Sequence, residues 1–122
     1  MTLQELYGKI GGDYEQALKT LRIDKLIDKH IRKLPANPIF NELIAVDFLS
    51  DGAKTFETAH AVKGVCANLG LVKMATLASD VCDEFRPGLS RKFSDAEIKV
   101  KLEEFGNLFE IACKYINEYA GA

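Results

Sequence analysis

Residues 58–70, which read TAHAVKGVCANLG, place three residue types that can do chemistry within a few positions of one another. His60 offers a nucleophilic imidazole, Lys63 follows at i+3 with a positive charge, and Gly64 follows at i+4 with no side chain. Glycine weakens a helix interior by about 1 kcal/mol relative to alanine. We therefore infer that this glycine serves something other than helix stability, such as the close approach of another macromolecule.

The pattern around this stretch predicts a helix from about residue 53 to residue 69, with Gly70 as the residue that ends it. One face of that helix is apolar and is expected to be buried: Phe56, Ala59, Val62, Cys66 and Leu69. His60 falls about 100° from the centre of this face, at the shoulder of the helix. Lys63 lies between His60 and the core, whereas Gly64 and Ala67 clear the surface beyond it.

Several chemistries use an exposed histidine, and the residues nearby discriminate among them. General acid–base catalysis needs a pocket and a second group. A metal site needs further ligands, yet Cys66 faces the core and His30, expected to be a solvated surface residue, lies in another helix. A histidine that is phosphorylated needs exposure, a nearby cation and docking room. Spacing alone leaves two interpretations open, which are phosphoryl chemistry and a chance surface histidine.

Helical periodicity dominates the C-terminal half of the chain, and no segment alternates with period two. Ser94 and Glu97 form a capping-box signature. The apolar residues behind them step by four and three, as in a helix bundle: Ile98, Leu102, Phe105, Phe109, Ala112, Ile116 and Tyr119. A shorter helix is predicted to end at Pro87-Gly88 and to have one apolar face: Met74, Leu77, Ala78, Val81 and Phe85.

Shorter helices are predicted in the N-terminal half. Asn37 before Pro38 is typical of a helix start, and the next residues place these side chains on one side: Phe40, Leu43, Ile44 and Phe48. The preceding segment is expected to turn these side chains inward: Leu26, Ile27, Ile31 and Leu34. The pattern leaves open whether residues 24–49 form one broken helix or two. Capping pairs predict two short helices before them: Thr2 with Glu5, and Asp13 with Gln16.

The length and the helical pattern together predict the fold class. A chain of 122 residues is expected to form a single domain, over residues 1–122. Long amphipathic segments with short polar joints predict an all-α protein, an antiparallel four-helix bundle preceded by short N-terminal capping helices.

Composition excludes several classes of partner. The 18 acidic residues nearly balance the 16 basic ones and there is no basic run, which argues against nucleic acid. No apolar stretch approaches the ~20 residues that a membrane span requires, and no signal-peptide pattern is present, so a cytoplasmic protein is expected. Cys66, Cys82 and Cys113 show no C-x-x-C spacing, so neither a zinc site nor a thioredoxin-like pair is indicated. Each falls on an apolar helical stripe and is expected to act as a small hydrophobe.

The stretch from His60 to Gly70 also resembles the signature of histidine phosphotransfer (HPt) domains. That signature is H-x-(Leu or similar)-K-G, four variable residues, an aliphatic residue and glycine. Residues 60–70 fill every anchor, with Val62 where leucine is usual. The run from residue 26 to residue 89 looks like the family throughout, whereas the C-terminal helix agrees only in being amphipathic. The family fold is a helical bundle of about this length.

The resemblance implies a phosphocarrier of a multistep two-component phosphorelay, and not an enzyme with its own ATP site. His60 would accept and donate the phosphoryl group through Nε2, and Lys63 would help to neutralise it. Gly64 and Ala67 would admit a receiver domain. The implied partners are receiver domains of response regulators and a sensor histidine kinase. Mg²⁺ would belong to the receiver, and this chain would hold no metal or cofactor of its own. Nothing in the sequence requires more than a monomer, so a monomer is expected.

One departure from the family concerns the orientation of the imidazole. Many members orient the ring with glutamine or glutamate from the following helix, and Cys82 occupies the best matching position here. A thiol is a weak hydrogen-bond partner. Either Ser79 or Asp83 takes that role, or the ring is held less firmly. The alternative function is a helical module that docks on a receiver without cycling phosphate.

Overall fold

Seven α-helices and one 3₁₀ turn form the chain in a computed structural model, which describes residues 1–121. The helices are α1 (Leu3–Ile10), α2 (Tyr14–Leu21), α3 (Asp24–Lys33), α4 (Pro38–Ile44), α5 (Gly52–Asn68), α6 (Val72–Glu84) and α7 (Asp95–Tyr119), and the 3₁₀ turn is Leu34–Ala36. Helix accounts for 75% of the residues and no strand occurs in the described part, so the all-α prediction is confirmed. No helix there is both long and apolar enough to cross a bilayer. Ala122, the last residue of the predicted domain, lies outside the described residues.

The predicted capping residues begin the helices where they were expected. Thr2 caps α1 and Ser94 caps α7, each through a complete capping box with the glutamate three residues later. Asp13 caps α2 by accepting the N–H of Gln16 at 3.0 Å. Each such cap is worth about 1 kcal/mol, because it satisfies a backbone N–H that has no partner inside the helix.

Residues 24–49 form two helices rather than one broken helix. The 3₁₀ turn separates α3 from α4, and Asn37 starts α4 by accepting the N–H of Ile39 at 3.2 Å. Two expectations here are wrong. Leu26 is 37% exposed, because the buried face of α3 is narrower than predicted. Phe48 is not part of α4, which ends at Ile44, and instead its ring lies 5.9 Å from that of Phe85.

The apolar seam of α7 packs into one hydrophobic cluster to which every helix contributes. Phe40 of α4 stacks on two rings of this seam, with centroid distances of 4.8 Å to Phe109 and 6.1 Å to Phe105. Aromatic pairs of this kind contribute roughly 0.5–1.5 kcal/mol beyond their burial. The seam is confirmed: Ile98, Leu102, Phe105, Phe109, Ala112 and Ile116 are buried, and Tyr119 packs at its edge.

The connection from α6 to α7 is fixed by a buried carboxylate. Glu84 accepts the backbone N–H of Lys92 at 2.6 Å and the Nε–H of Arg91 at 3.1 Å. Arg91 also bonds Asp95 at 2.7 Å, in the first turn of α7. Burial raises the pKa of Glu84, but the backbone N–H groups of the loop and the Arg91 guanidinium outweigh it and hold the pKa below its usual value. The loop is therefore tied to both helices.

Helices α5 and α6 share the most extensive contact between any two elements, and they meet at a turn centred on Gly70. The backbone of Gly70 is left-handed, with φ +68°. Its N–H donates to the carbonyl of Ala67, and the N–H of Leu71 donates to the carbonyl of Cys66 at 2.9 Å. This pair of bonds is a Schellman motif, which satisfies the last carbonyls of α5 and confirms Gly70 as the residue that ends it.

The N-terminal helices close over this turn. The N–H of Asp13 donates to the carbonyl of Gly70 at 2.7 Å, and the hydroxyl of Tyr7 donates to the carbonyl of Leu69 at 2.6 Å. A Cβ atom on Gly70 would lie only 2.2 Å from the carbonyl oxygen of Asp13. Two constraints therefore require glycine at position 70, namely the left-handed backbone and the close approach of the Asp13 carbonyl.

We predict that Gly70→Ala destabilises the protein far more than Gly11→Ala. Both glycines have φ +68°, but a Cβ on Gly11 would meet no described atom within 4 Å. Gly11→Ala should therefore lower the free energy of unfolding by about 1–2 kcal/mol, which is the cost of the left-handed backbone. Gly70→Ala adds a clash with fixed backbone and should cost more than about 3 kcal/mol. Urea denaturation measures both, and equal losses would contradict the account of this turn.

Candidate functional site

The exposed ridge of α5 carries the residues that the sequence singled out. His60, Gly64 and Ala67 are exposed, whereas Ala59 and Val62 beside them are fully buried. Cys66 and Leu69 are also buried, and Phe56 is partly covered. The histidine therefore lies at the shoulder of the helix, as predicted.

The surface beside the imidazole is open. A Cβ on Gly64 would meet no atom of the described residues within 4 Å. Ala61 and Ala67, which flank it on the same ridge, are exposed and carry a single methyl group each. From His60 toward the C-terminal end of α5, this ridge therefore carries no long side chain as far as Ala67.

The imidazole itself contacts one residue of its own helix and one of α6. Its Nδ1 lies 3.9 Å from the sulfur of Cys82. Its ring stacks on that of Phe56, with centroids 6.0 Å apart and planes inclined by 20°. Among the described residues, Nδ1 has this polar neighbour, whereas Nε2 has no hydrogen-bond partner.

Of the three candidates for orienting this ring, the structure places Cys82 beside it. Asp83 instead bonds the guanidinium of Arg86, with Oδ1 3.0 Å from Nη2. Ser79 lines a groove together with Lys63, and His60 is not among the residues that line it. The contact with Cys82 is weak, because a sulfur 3.9 Å from nitrogen is at the limit of hydrogen bonding.

The thiol of Cys82 is neutral under ordinary conditions. It is fully buried, and burial raises its pKa above the usual value. The positive charges of Arg86 and Lys63 lower that pKa, but they offset only part of the effect of burial. A neutral thiol attracts Nδ1–H less strongly than a carboxylate or an amide oxygen does. The ring therefore depends on its other contacts for its orientation.

The ammonium of Lys63 is available to an anion near His60. Lys63 is half-buried in a groove whose acidic residues include Asp80. Asp80, however, bonds Nζ of Lys101 at 3.0 Å. Within residues 1–121, no carboxylate lies within 4 Å of the Lys63 ammonium. Its charge is consequently not neutralised by an ion pair.

Arg86 belongs to this site, and the sequence interpretation missed it. Its guanidinium carbon lies 5.3 Å from the ring centroid of Phe56, and its Nη2 lies 4.0 Å from the sulfur of Cys82. A signal for it was present, because Arg86 follows Cys82 at i+4 and so continues the same face one turn on. The predicted helix end near Pro87 obscured that continuity.

Other polar residues do not converge on His60. His30 is exposed, as predicted, and lines a separate groove with Lys33 and Asn68. Across the described part of the chain, no group of three or more His, Cys, Asp or Glu side chains is arranged to hold a metal ion. The three cysteines are free.

Comparisons with protein-family models, with curated proteins and with solved structures found no match.

The three thiols are predicted to react in an order set by burial. Burial raises the pKa of all three thiols, that of Cys66 to about 12, but only Cys113 is partly accessible to solvent. Because a thiolate must also be reached by the reagent, Cys113 should react with Ellman's reagent first, and the other two only after unfolding. Cys113→Ser should therefore abolish the native-state reaction. Reaction of Cys82 in the folded protein at the rate seen in urea would contradict its placement behind His60.

Proposed function

We propose that this chain is a histidine phosphotransfer protein of a two-component phosphorelay. Nε2 of His60 accepts a phosphoryl group from, and returns it to, an aspartate of a response-regulator receiver domain. One observation carries the proposal, namely an exposed imidazole backed on its Nδ1 side by Cys82 and flanked by the open backbone of Gly64. The HPt-like motif from His60 to Gly70 supports it independently.

The reaction needs little from the chain besides this histidine. The lone pair of Nε2 attacks phosphorus, the bond between phosphorus and the aspartyl oxygen breaks, and the aspartate leaves as a carboxylate. The tautomer that carries its proton on Nδ1 leaves Nε2 free to attack. That proton lies on the side of Cys82. By the family resemblance, the receiver supplies Mg²⁺ and this chain supplies no metal.

Lys63 has the position that charge stabilisation requires. It stands one turn after His60, and the two carboxylates that line its groove are bonded elsewhere, Asp80 to Lys101 and Asp13 to the N–H of Gln16. An ammonium without a carboxylate partner can pair with the phosphoryl oxygens through charge-assisted hydrogen bonds. The role we propose for Lys63 is therefore electrostatic.

The proposed fold of the family fits the contacts among the last four helices. Helix α4 packs on α5, α5 on α6, α6 on α7, and α7 returns to α4. Such a closed set of neighbours is what an antiparallel four-helix bundle requires, with α1–α3 as the N-terminal caps. We further propose that the chain acts as a cytoplasmic monomer between a sensor histidine kinase and its receivers.

We predict that His60→Gln abolishes phosphoryl uptake, whereas His30→Gln does not. The two substitutions are matched, since both histidines are exposed and lie on helices. Labelling with phosphoramidate and with a panel of phosphorylated receivers should give an acid-labile phosphoryl group in the wild type and in His30→Gln. Equal labelling of His60→Gln would remove His60 from its role. Receiver binding without any labelling would instead support the non-cycling docking module.

We also predict that Gly64→Gln slows transfer from a receiver by about 10-fold or more, because a side chain there displaces the docked partner. Labelling by phosphoramidate should be unchanged, since a small donor needs no docking surface. Gly8→Gln is the control, because Gly8 is another helical glycine where an added Cβ would meet no described atom within 4 Å. Loss of both reactions in Gly64→Gln, or an equal loss in Gly8→Gln, would contradict the steric role.

A further inference from the structure

We propose that Arg86 is a positioning residue that holds the imidazole of His60 in place by acting on the two groups that contact it. This role rests on the proposed phosphoryl transfer at His60. Phe56 and Cys82 are the side chains that flank the ring, and Arg86 contacts both of them.

The guanidinium of Arg86 makes three contacts at once. Its Nη2 donates to Oδ1 of Asp83 at 3.0 Å and lies 4.0 Å from the sulfur of Cys82. Its carbon lies 5.3 Å from the ring centroid of Phe56, and the imidazole lies 6.0 Å from the same ring. A planar guanidinium can stack on an aromatic ring and donate in its plane at the same time, which an ammonium cannot do.

The backbone of Arg86 is also restrained. Arg86 follows the end of α6 and precedes Pro87, and a residue before proline is disfavoured in the helical region. Its N–H donates to the carbonyl of Asp83 at 3.4 Å. From this backbone position the side chain reaches Cys82 of α6 and Phe56 of α5.

We expect the loss of Arg86 to change the orientation of the imidazole more than the free energy of folding. The side chains of Arg86 and Asp83 are 40% and 59% exposed, and ion pairs as exposed as this add little to the free energy of folding. The imidazole, by contrast, has only a weak partner in the thiol of Cys82. Removing Arg86 would take away one contact of Phe56 and one of Cys82, and we expect the imidazole beside them to become more mobile.

The chain contains a matched control for this arrangement. Arg32 donates from Nε to Asp28 at 2.9 Å, and its guanidinium carbon lies 5.0 Å from the ring centroid of Tyr119. It therefore has the same two kinds of contact as Arg86, an aspartate and an aromatic face, but it lies between α3 and α7. Arg32→Lys should change neither the imidazole nor its phosphorylation.

The experiment compares Arg86→Lys, Arg86→Gln and Arg32→Lys with the wild type. The first readout is the ¹⁵N and ¹H NMR signals of the His60 ring in the unphosphorylated protein. The second is the rate of labelling by phosphoramidate across pH. We expect both Arg86 variants to average the ring signals and to slow labelling by about 5- to 10-fold with an unchanged melting temperature.

Arg86→Lys keeps the positive charge, so it distinguishes a positioning role of Arg86 from a purely electrostatic one. If Arg86→Lys labels like the wild type while Arg86→Gln is slow, Arg86 acts as a charge and the positioning role is overturned. Unchanged ring signals, or unchanged labelling rates, in both variants would also overturn it. If the wild type takes up no label at all, the proposed function fails, and the ring signals alone then decide whether Arg86 orders the imidazole.

Discussion

The carbonyl oxygen of Asp13 packs against the bare α carbon of Gly70, and the site depends on this close approach. The contact seals the turn between α5 and α6, and a side chain at Gly70 would separate the two chains. This turn therefore determines how α5 packs against α6. These two helices share the most extensive contact among the described elements. That pairing brings the sulfur of Cys82 to 3.9 Å from a histidine that is 22 residues away in sequence.

Two features of the site are missing groups, namely a side chain at position 64 and, among the described residues, a carboxylate partner for Lys63. Gly64 costs helix stability and leaves the backbone uncovered beside the imidazole. Lys63 has no carboxylate partner within the described residues, and Asp80, which lines the same groove, is bonded to Lys101. A phosphoryl group on His60 would therefore find open space and an unpaired cation. These features are sufficient for the proposed phosphocarrier, because its partner would supply the remaining chemistry.

Local signals in the sequence predicted a large part of this structure. Capping boxes, helix periodicity and the left-handed glycine at position 70 depend on neighbouring residues, and the helices begin and end close to where these signals place them. The shoulder position of His60 followed from periodicity alone. The errors come from tertiary context. The helices that pack on α3 determine how wide its buried face is, and therefore whether Leu26 is covered.

Contacts between distant segments could not be predicted in the same way. The bond from Tyr7 to the carbonyl of Leu69 spans 62 residues, and nothing in either local pattern indicates it. Arg86 was missed because its partners include a ring on another helix, Phe56. The sequence left three candidates open for orienting the imidazole, and only the packing of α5 on α6 distinguishes the placement of Cys82 from that of Ser79 and Asp83.

The central claim is that Nε2 of His60 forms the bond to phosphorus. The most direct test is ³¹P NMR of the ¹⁵N-histidine-labelled protein after treatment with phosphoramidate, with the coupled ring nitrogen assigned. The account predicts one phosphohistidine signal, coupled to Nε2 of His60. A phosphoryl group on Nδ1, on His30 or on no histidine would contradict it.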